Sequence, residues 1–378
     1  MGVCWGNDMM RSINPVTVGE CHARWRAPLA KCALVACLSL PTAPAAAHIF
    51  CVSKVYDAAD PDHALIQALA AAGTGGAYNG ENDTIRLVRG TYQALQTVAF
   101  TFSNSGTHKL DINGGYNSDC STIIENPELT ILDGGGHFPV LQTNSSADVS
   151  IRWVTFQNGL SGDNGSGLLM NLVAPGGAAI IDYNIIRDNV STFTNGGLGI
   201  SGSGLVYIED NLIIGNSSTG EISAVSIGLT NSTVYFINNT IAQNSAVGSD
   251  SDAFDLGNLI STTFYASNNI IWGNTGTYDS SYYGGSPQFI DNDYASIDPA
   301  SPALAAGSTG NVNVDPQFVG SGSIGLSSTS PLLNIGTLTP PGSLPTIDIA
   351  GNPRSFNSQV DIGAYERGNE IFKDGFNN

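Results

Sequence analysis

Arg187, Asp188 and Asp182 are the residues of this chain whose types and spacing come nearest to catalysis. An arginine among carboxylates suits proton transfer with local charge neutralisation, although the same trio also reads as a solvated ion pair on an outer face. Asp252 and Asp255 are the other close carboxylates on a strand-like run, and no lysine or arginine accompanies them. Asp250/Asp252 and Asp291/Asp293 lie in Ser-, Gly- or Asn-rich stretches where Ca2+ could bind, but acidic turns use the same residues. His48, His63, His108 and His137 show no H-x-x-x-H spacing, which argues against zinc and triad chemistry. No cofactor or dedicated metal site is therefore expected. Trp272, Tyr278, Tyr282 and Tyr283, followed by Phe289 and Tyr294, form an aromatic cluster. Such a cluster suits a platform for sugar rings, or a hydrophobic seal over one end of a fold.

The elements that must position these groups are repeats. Asn-x-Ile-x-x-Asn recurs at Asn184 to Asn189, Asn211 to Asn216, Asn239 to Asn244 and Asn269 to Asn274, in steps of 27, 28 and 30 residues. A less regular copy, Trp153 to Asn158, precedes them by 31. A step of this size means stacked coils. A strand precedes each first Asn (Ala179 to Tyr183, Leu205 to Asp210, Thr233 to Asn238, Thr263 to Asn268), a short apolar strand follows it, and Leu198 to Ser201, Ala224 to Leu229 and Phe254 to Ile260 supply a third. Three short strands per turn, with Val, Ile, Tyr and Phe alternating with Ser, Thr and Asn, predict a parallel β-coil. The Asn columns are expected at the corners, tolerating a left-handed backbone and bonding to one another as ladders. Asp60 to Ala72 reads as a capping helix, with Asp60 as N-cap, Pro61 at its first position, Leu65, Ile66 and Leu69 facing inward and Gly73 as stop. Past about Ser296 the Asn step disappears and the chain becomes Pro- and Gly-rich.

A net charge of −19 with only 12% charged residues leaves no basic stripe, so nucleic acid is excluded as a partner. Residues 1–47 read as a signal peptide: Arg24, Arg26 and Lys31 lead into the apolar run Ala33 to Leu40, and Ala45-Ala46-Ala47 offers a small-residue cleavage site before His48. Leu34 to Cys37 also resembles a lipoprotein box, but too few apolar residues separate it from Lys31. No later stretch has the roughly 20 apolar residues of a membrane span. Cleavage leaves Cys51 and Cys120, an even pair that points to one disulfide, with two free thiols as the alternative.

The repeats resemble the right-handed parallel β-helix of the pectin-lyase-like superfamily, and Gly176 to Ile180 and Phe236 to Asn239 resemble repeats of polymorphic outer-membrane proteins. Asn311 to Phe318 (NVNVDPQF), Ser330 to Gly336 (SPLLNIG), Asp348 to Arg354 (DIAGNPR) and Val360 to Glu366 (VDIGAYE) follow the pattern of the choice-of-anchor Q domain. Asn334 stands where that family usually carries an acidic residue. Gly114 to Cys120 followed by Leu132 to Gly136 is similar to the start of exported β-helix proteins, and that resemblance favours the Cys51–Cys120 pairing. Glu370 to Phe376 resembles a short tail common on exported bacterial proteins. The organisation expected is a signal peptide (1–47), an N-terminal cap with irregular rungs (48–140), regular repeats (141–295), a looser anchor-type region (296–366) and a sorting-type tail (367–378). The strand faces offer little catalytic chemistry, and the expected role is that of an exported, cell-surface or secreted protein acting non-catalytically in adhesion, glycan contact or envelope structure. A polysaccharide lyase is the alternative, although the motifs of the pectin hydrolases are absent.

Overall fold

The structure, a computed structural model, describes residues 47–57, 59–60, 64–95, 99–162, 165–173, 177–248, 252–320 and 323–368. Most of the expected signal peptide, Pro61, Gly176, Asp250 and residues 369–378 of the expected tail lie outside the described residues. The described residues fall in one compact unit.

The chain winds as a parallel β-solenoid. Successive strands of each turn stack on their counterparts in the next, giving long parallel sheets of nine, eight and seven strands and a short four-stranded one among the described residues. Inward side chains set the register. Leu205–Glu209 buries Val206 and Ile208, which sit directly beneath Val234 and Phe236 of Thr233–Ile237. Phe264 and Ala266 of Thr263–Ser267 continue the column. Because side chains alternate across a strand, the residues between them face outward in equally regular files.

The corners are closed by two asparagine ladders, and every rung depends on the next. Asn184 donates its backbone N–H (2.9 Å) and its side-chain Nδ2 (3.2 Å) to Oδ1 of Asn211, and Nδ2 also reaches the Ile151 carbonyl (2.8 Å). Asn211 repeats this toward Asn239, and Asn239 toward Asn269. The second column joins Asn189, Asn216, Asn244 and Asn274 in the same way. Apart from half-buried Asn274, these amides are almost fully buried, so each ladder satisfies polar groups that water cannot reach.

Three expectations about this repeat change. The ladder asparagines do not take the left-handed backbone; the residue before each does. Tyr183, Asp210, Asn238 and Asn268 have φ of 59°, 53°, 54° and 58°, which turns the chain and leaves the following Asn pointing inward. Asn158 belongs to this corner class (φ 55°) and not to the ladder. The ladder ends instead on the N–H groups of Val154 and Gly159, which donate to Asn184 and Asn189. Finally, the first ladder does not stop near Ser296. It continues from Asn269 to Asn292 and Asn311 with shortened steps of 23 and 19 residues.

The capping helix (α1) spans Leu65–Ala72, shorter than expected, and buries Leu65, Ala68, Leu69 and Ala72. Ala64, not Asp60, is the N-cap. The N–H groups of Leu65 and Ile66 donate to the carbonyls of Lys54 and Val55, so the preceding strand does the capping, while Asp60 is engaged by Lys54. Gly73 follows the helix as expected. Cys51 and Cys120 form a disulfide with their Cα atoms 5.7 Å apart. Among the described residues, no helix is long and apolar enough to cross a membrane.

The segment after the last rung has little regular structure but is firmly packed along the side of the coil. Ile324, Ile349 and Ala364 cover Ile185, Leu212 and Ala242, and Leu326, Leu332 and Ile362 cover Ile270 and flank Trp272. Arg354 is fully buried, ion-pairs with Asp210 at a coil corner and donates to the carbonyls of Gly363 (3.1 Å) and Ala364 (2.8 Å). The Asp210 carboxyl is pushed well above its ordinary range by burial, and Arg354 opposes that shift.

Replacing Asn239 by Ala breaks two ladder links, to Asn211 and to Asn269, and loss of about 3 kcal/mol of stability is expected. Asn171→Ala, in an exposed pair with Asn144, should change stability by less than about 0.5 kcal/mol. Chemical denaturation of both variants checks the contrast.

Candidate functional site

The expected trio does not assemble. Asp182 ends Ala178–Asp182 in the nine-stranded sheet, whereas Arg187 ends Ile185–Arg187 in the eight-stranded sheet. Arg187 donates through Nε (3.1 Å) and Nη2 (3.0 Å) to Gln157, and its Nε lies 4.0 Å from the Asp188 carboxylate. Arg187 and Asp188 share the wall of a cavity of about 320 Å3 with Glu128, Gln243 and Tyr365.

Asp182 instead meets Arg152, one rung away in the same file, with Nε to Oδ2 at 2.9 Å. The next residue in that file is Glu209. Arg152, Asp182 and Glu209 therefore occupy one outward position on three successive rungs. Burial, reinforced by the charge of Asp182 and opposed by Arg152, pushes the Glu209 carboxyl up to about 8. Burial also raises Asp182 to about 6, against the pull of Arg152. Asp182 Oδ1 has no hydrogen-bond partner among the described residues. Two carboxyl groups that protonate near neutral pH beside a guanidinium can donate and accept protons.

The neighbouring outward file is aromatic. Tyr207, Tyr235 and Tyr265 are register partners on successive rungs, with ring centroids 5.1 and 5.6 Å apart and planes within 22° and 9°. Trp153 and Tyr183 stack at the adjoining corner, 4.3 Å apart. In such a stack the ring faces are occupied by neighbours, which leaves edges and hydroxyls for a ligand. Gly342 (φ 97°) borders the file so closely that a Cβ there would come within 2.5 Å of the Tyr235 ring. At the start of the same strands lies an open trough of about 520 Å3, lined by Ser203, Leu205, Asn231, Thr233, Ser261 and Thr263 among others. Hydroxyls, an amide and aromatic edges thus share the outer face of one sheet.

The other expected groups are dispersed. Tyr282 is buried, donates to the Pro302 carbonyl and lies 6.4 Å from the Phe289 ring, so it helps to seal the end of the coil. Trp272 packs against the C-terminal segment, Tyr278 is half-buried, and Tyr283 is exposed. These four rings do not form one platform, because adjacent strand residues face opposite ways. Asp252 and Asp255 do come together, bridged by the Ser281 hydroxyl, and burial raises Asp255 to about 6. Asp291 takes the left-handed corner (φ 52°), whereas Asp293 is buried beneath the Val314 N–H. Among the described residues, no group of three or more His, Cys, Asp or Glu side chains is placed to hold a metal ion.

Glu209 and the tyrosine file were not anticipated. Their signal was present: Glu209 follows Asp182 by 27 residues, and the tyrosines are spaced by 28 and 30, the same steps as the ladder.

No protein-family model matches the chain, and no curated protein does. Among solved structures the chain is similar to pectate lyase Pel9A, at 14% identity over 86% of this chain and 98% of that one, with a TM-score of 0.40.

Glu209 and Asp182 bind protons more tightly when folded than when unfolded, where carboxyl values are about 4. Unfolding then releases protons, and stability falls as pH rises from about 4 toward 8. Asp83, Asp255, Asp293 and Glu366, also raised, add to the same slope. Glu209→Gln should flatten the dependence and be more stable than the wild type at about pH 8. Denaturation midpoints across pH provide the check.

Proposed function

We propose that this protein is an exported β-solenoid that contacts polysaccharide along the outer face of its nine-stranded sheet without transforming it. The observation that carries this reading is the rung-registered tyrosine file beside the hydroxyl-lined trough. An extended glycan lying along the coil axis would meet the same chemistry at every rung, about every 4.8 Å. Tyrosine and small hydroxyl side chains suit sugar hydroxyls and the apolar edges of sugar rings. The acidic chain disfavours nucleic acid as an alternative polymer.

The leader before His48 supports export, with the outer cell surface or the surrounding medium as destination. The C-terminal segment reads as a choice-of-anchor Q domain whose motif residues hold one another. Asp348 accepts from the Asn352 and Glu366 backbones, Glu366 accepts from Asp361, and Asp361 accepts from Asn334. In this role the region secures the coil and connects it to the sorting-type tail.

Arg152, Asp182 and Glu209 favour a second reading, a carbohydrate-active enzyme of the lyase type. Their raised carboxyl groups are what proton-transfer chemistry would need. Against turnover stands the commitment of Asp182, 8% exposed, to Arg152.

A glycan array followed by titration separates the readings. Binding without product is expected, and Tyr207→Ala or Tyr265→Ala should weaken it at least tenfold, about 1.4 kcal/mol. Unsaturated products released from a uronate polymer with or without Ca2+, and lost in Glu209→Gln, would establish the enzyme instead.

A further inference from the structure

The first rung carries a buried acid with no cation beside it. Asp83 opens Asp83–Val88, faces inward and is 2% exposed. Its Oδ1 has no hydrogen-bond partner, and no lysine or arginine ion-pairs with it among the described residues. Lys54 is engaged with Asp57 and Asp60, Lys109 with Asp148, and Arg86 donates to the Cys120 carbonyl. A buried carboxylate in that condition is costly. Burial first, then the charge of Glu81, pushes it up to about 7, and the nearby His48 backbone N–H opposes that shift.

His48 lies beside Asp83 across the first strand pair and is fixed there by its carbonyl and its ring. Its carbonyl accepts from Thr84 (2.8 Å), and strand pairing continues from Ile49 with Thr84. Its ring stacks on Tyr78 at 3.6 Å and contacts Phe50 edge-on at 4.4 Å. Ala47, immediately before it, is exposed and closes the run Ala45-Ala46-Ala47.

We propose that a signal-peptidase-type protease cuts between Ala47 and His48, and that the new α-ammonium of His48 becomes the buried counter-ion of Asp83. The Ala47 carbonyl carbon–His48 nitrogen bond breaks, and the elements of one water divide into a carboxylate on Ala47 and an ammonium on His48. The single amide donor becomes three. Three donors on a charged nitrogen beside Asp83 can serve its carboxylate, including the unpartnered Oδ1. Processing thus completes the first rung, which the Cys51–Cys120 disulfide fastens three residues later. The inference rests on the export reading and is independent of glycan contact.

The test has two arms. The full chain is expressed in an exporting bacterium, and the N-terminal residue of the exported protein is read by mass spectrometry. His48 is expected; export with any other terminus overturns the cleavage assignment, and failure to export overturns the export reading itself. Separately, the compact unit is prepared starting at His48 with a free amine, starting at His48 with an Nα-acetyl group, and starting at Ala47, each with Asp83 and with Asp83→Asn. The free-amine His48 form should melt higher than both others by about 2 °C or more, and only with Asp83 present. Equal midpoints, or a difference that persists in Asp83→Asn, overturn the ion pair.

Discussion

The buried asparagine amide at each corner is the constraint on which the rest of this molecule depends. A coil of short strands must turn several times per rung, and each turn leaves backbone N–H and C=O groups facing a dry interior. Asn184, Asn211, Asn239, Asn269, Asn292 and Asn311 satisfy those groups by spending both amide atoms on neighbouring rungs. No rung is complete alone. Stability therefore propagates along the stack, and whatever sits at its ends must replace a missing neighbour. At the front, α1 and the disulfide-linked first strand do this; at the back, Tyr282 and Phe289 do it.

The same register that builds the core aligns the outer files, and these files are where function can reside. A residue facing outward on one rung has its counterpart directly above on the next, so a single side-chain type repeated at the ladder step becomes a row. Tyr207, Tyr235 and Tyr265 make such a row, and Arg152, Asp182 and Glu209 make a mixed one beside it. The C-terminal segment covers the neighbouring sheet, with Arg354 locked on Asp210, and reaches the tyrosine file where Gly342 abuts the Tyr235 ring.

Much of this architecture was legible in the sequence because a constant step exposes itself. The asparagine positions, the three longer strands of each turn, the capping helix and the cysteine pair all follow from spacing and composition, whereas the two-residue fourth strand of the middle turns, such as Val190–Ser191, was missed. The left-handed corners were misplaced by one residue because the positions involved, Tyr183, Asp210 and Asn238, share no type. Their backbone is fixed by the buried Asn that follows, while their side chains meet different surroundings: Asp210 pairs with Arg354 and Asn238 donates to the Asp361 and Gly363 carbonyls. The extension to Asn292 and Asn311 was hidden because the step shortens and the intervening apolar pattern is lost. Glu209 and the tyrosines were hidden for another reason: reading them as a surface requires knowing which strand positions face out. The docking of Arg354 onto Asp210 joins residues 144 apart and has no local pattern at all.

Hydrogen exchange in the presence of a bound oligosaccharide tests the central claim most directly, because it reports where along the coil the ligand lies. The account predicts slowed exchange at the strand starts around Ser203, Thr233 and Thr263 and along the tyrosine file, with the eight-stranded sheet near Arg187 unchanged. Protection confined to the cavity of Arg187 and Asp188, with none along the tyrosine file, would contradict it.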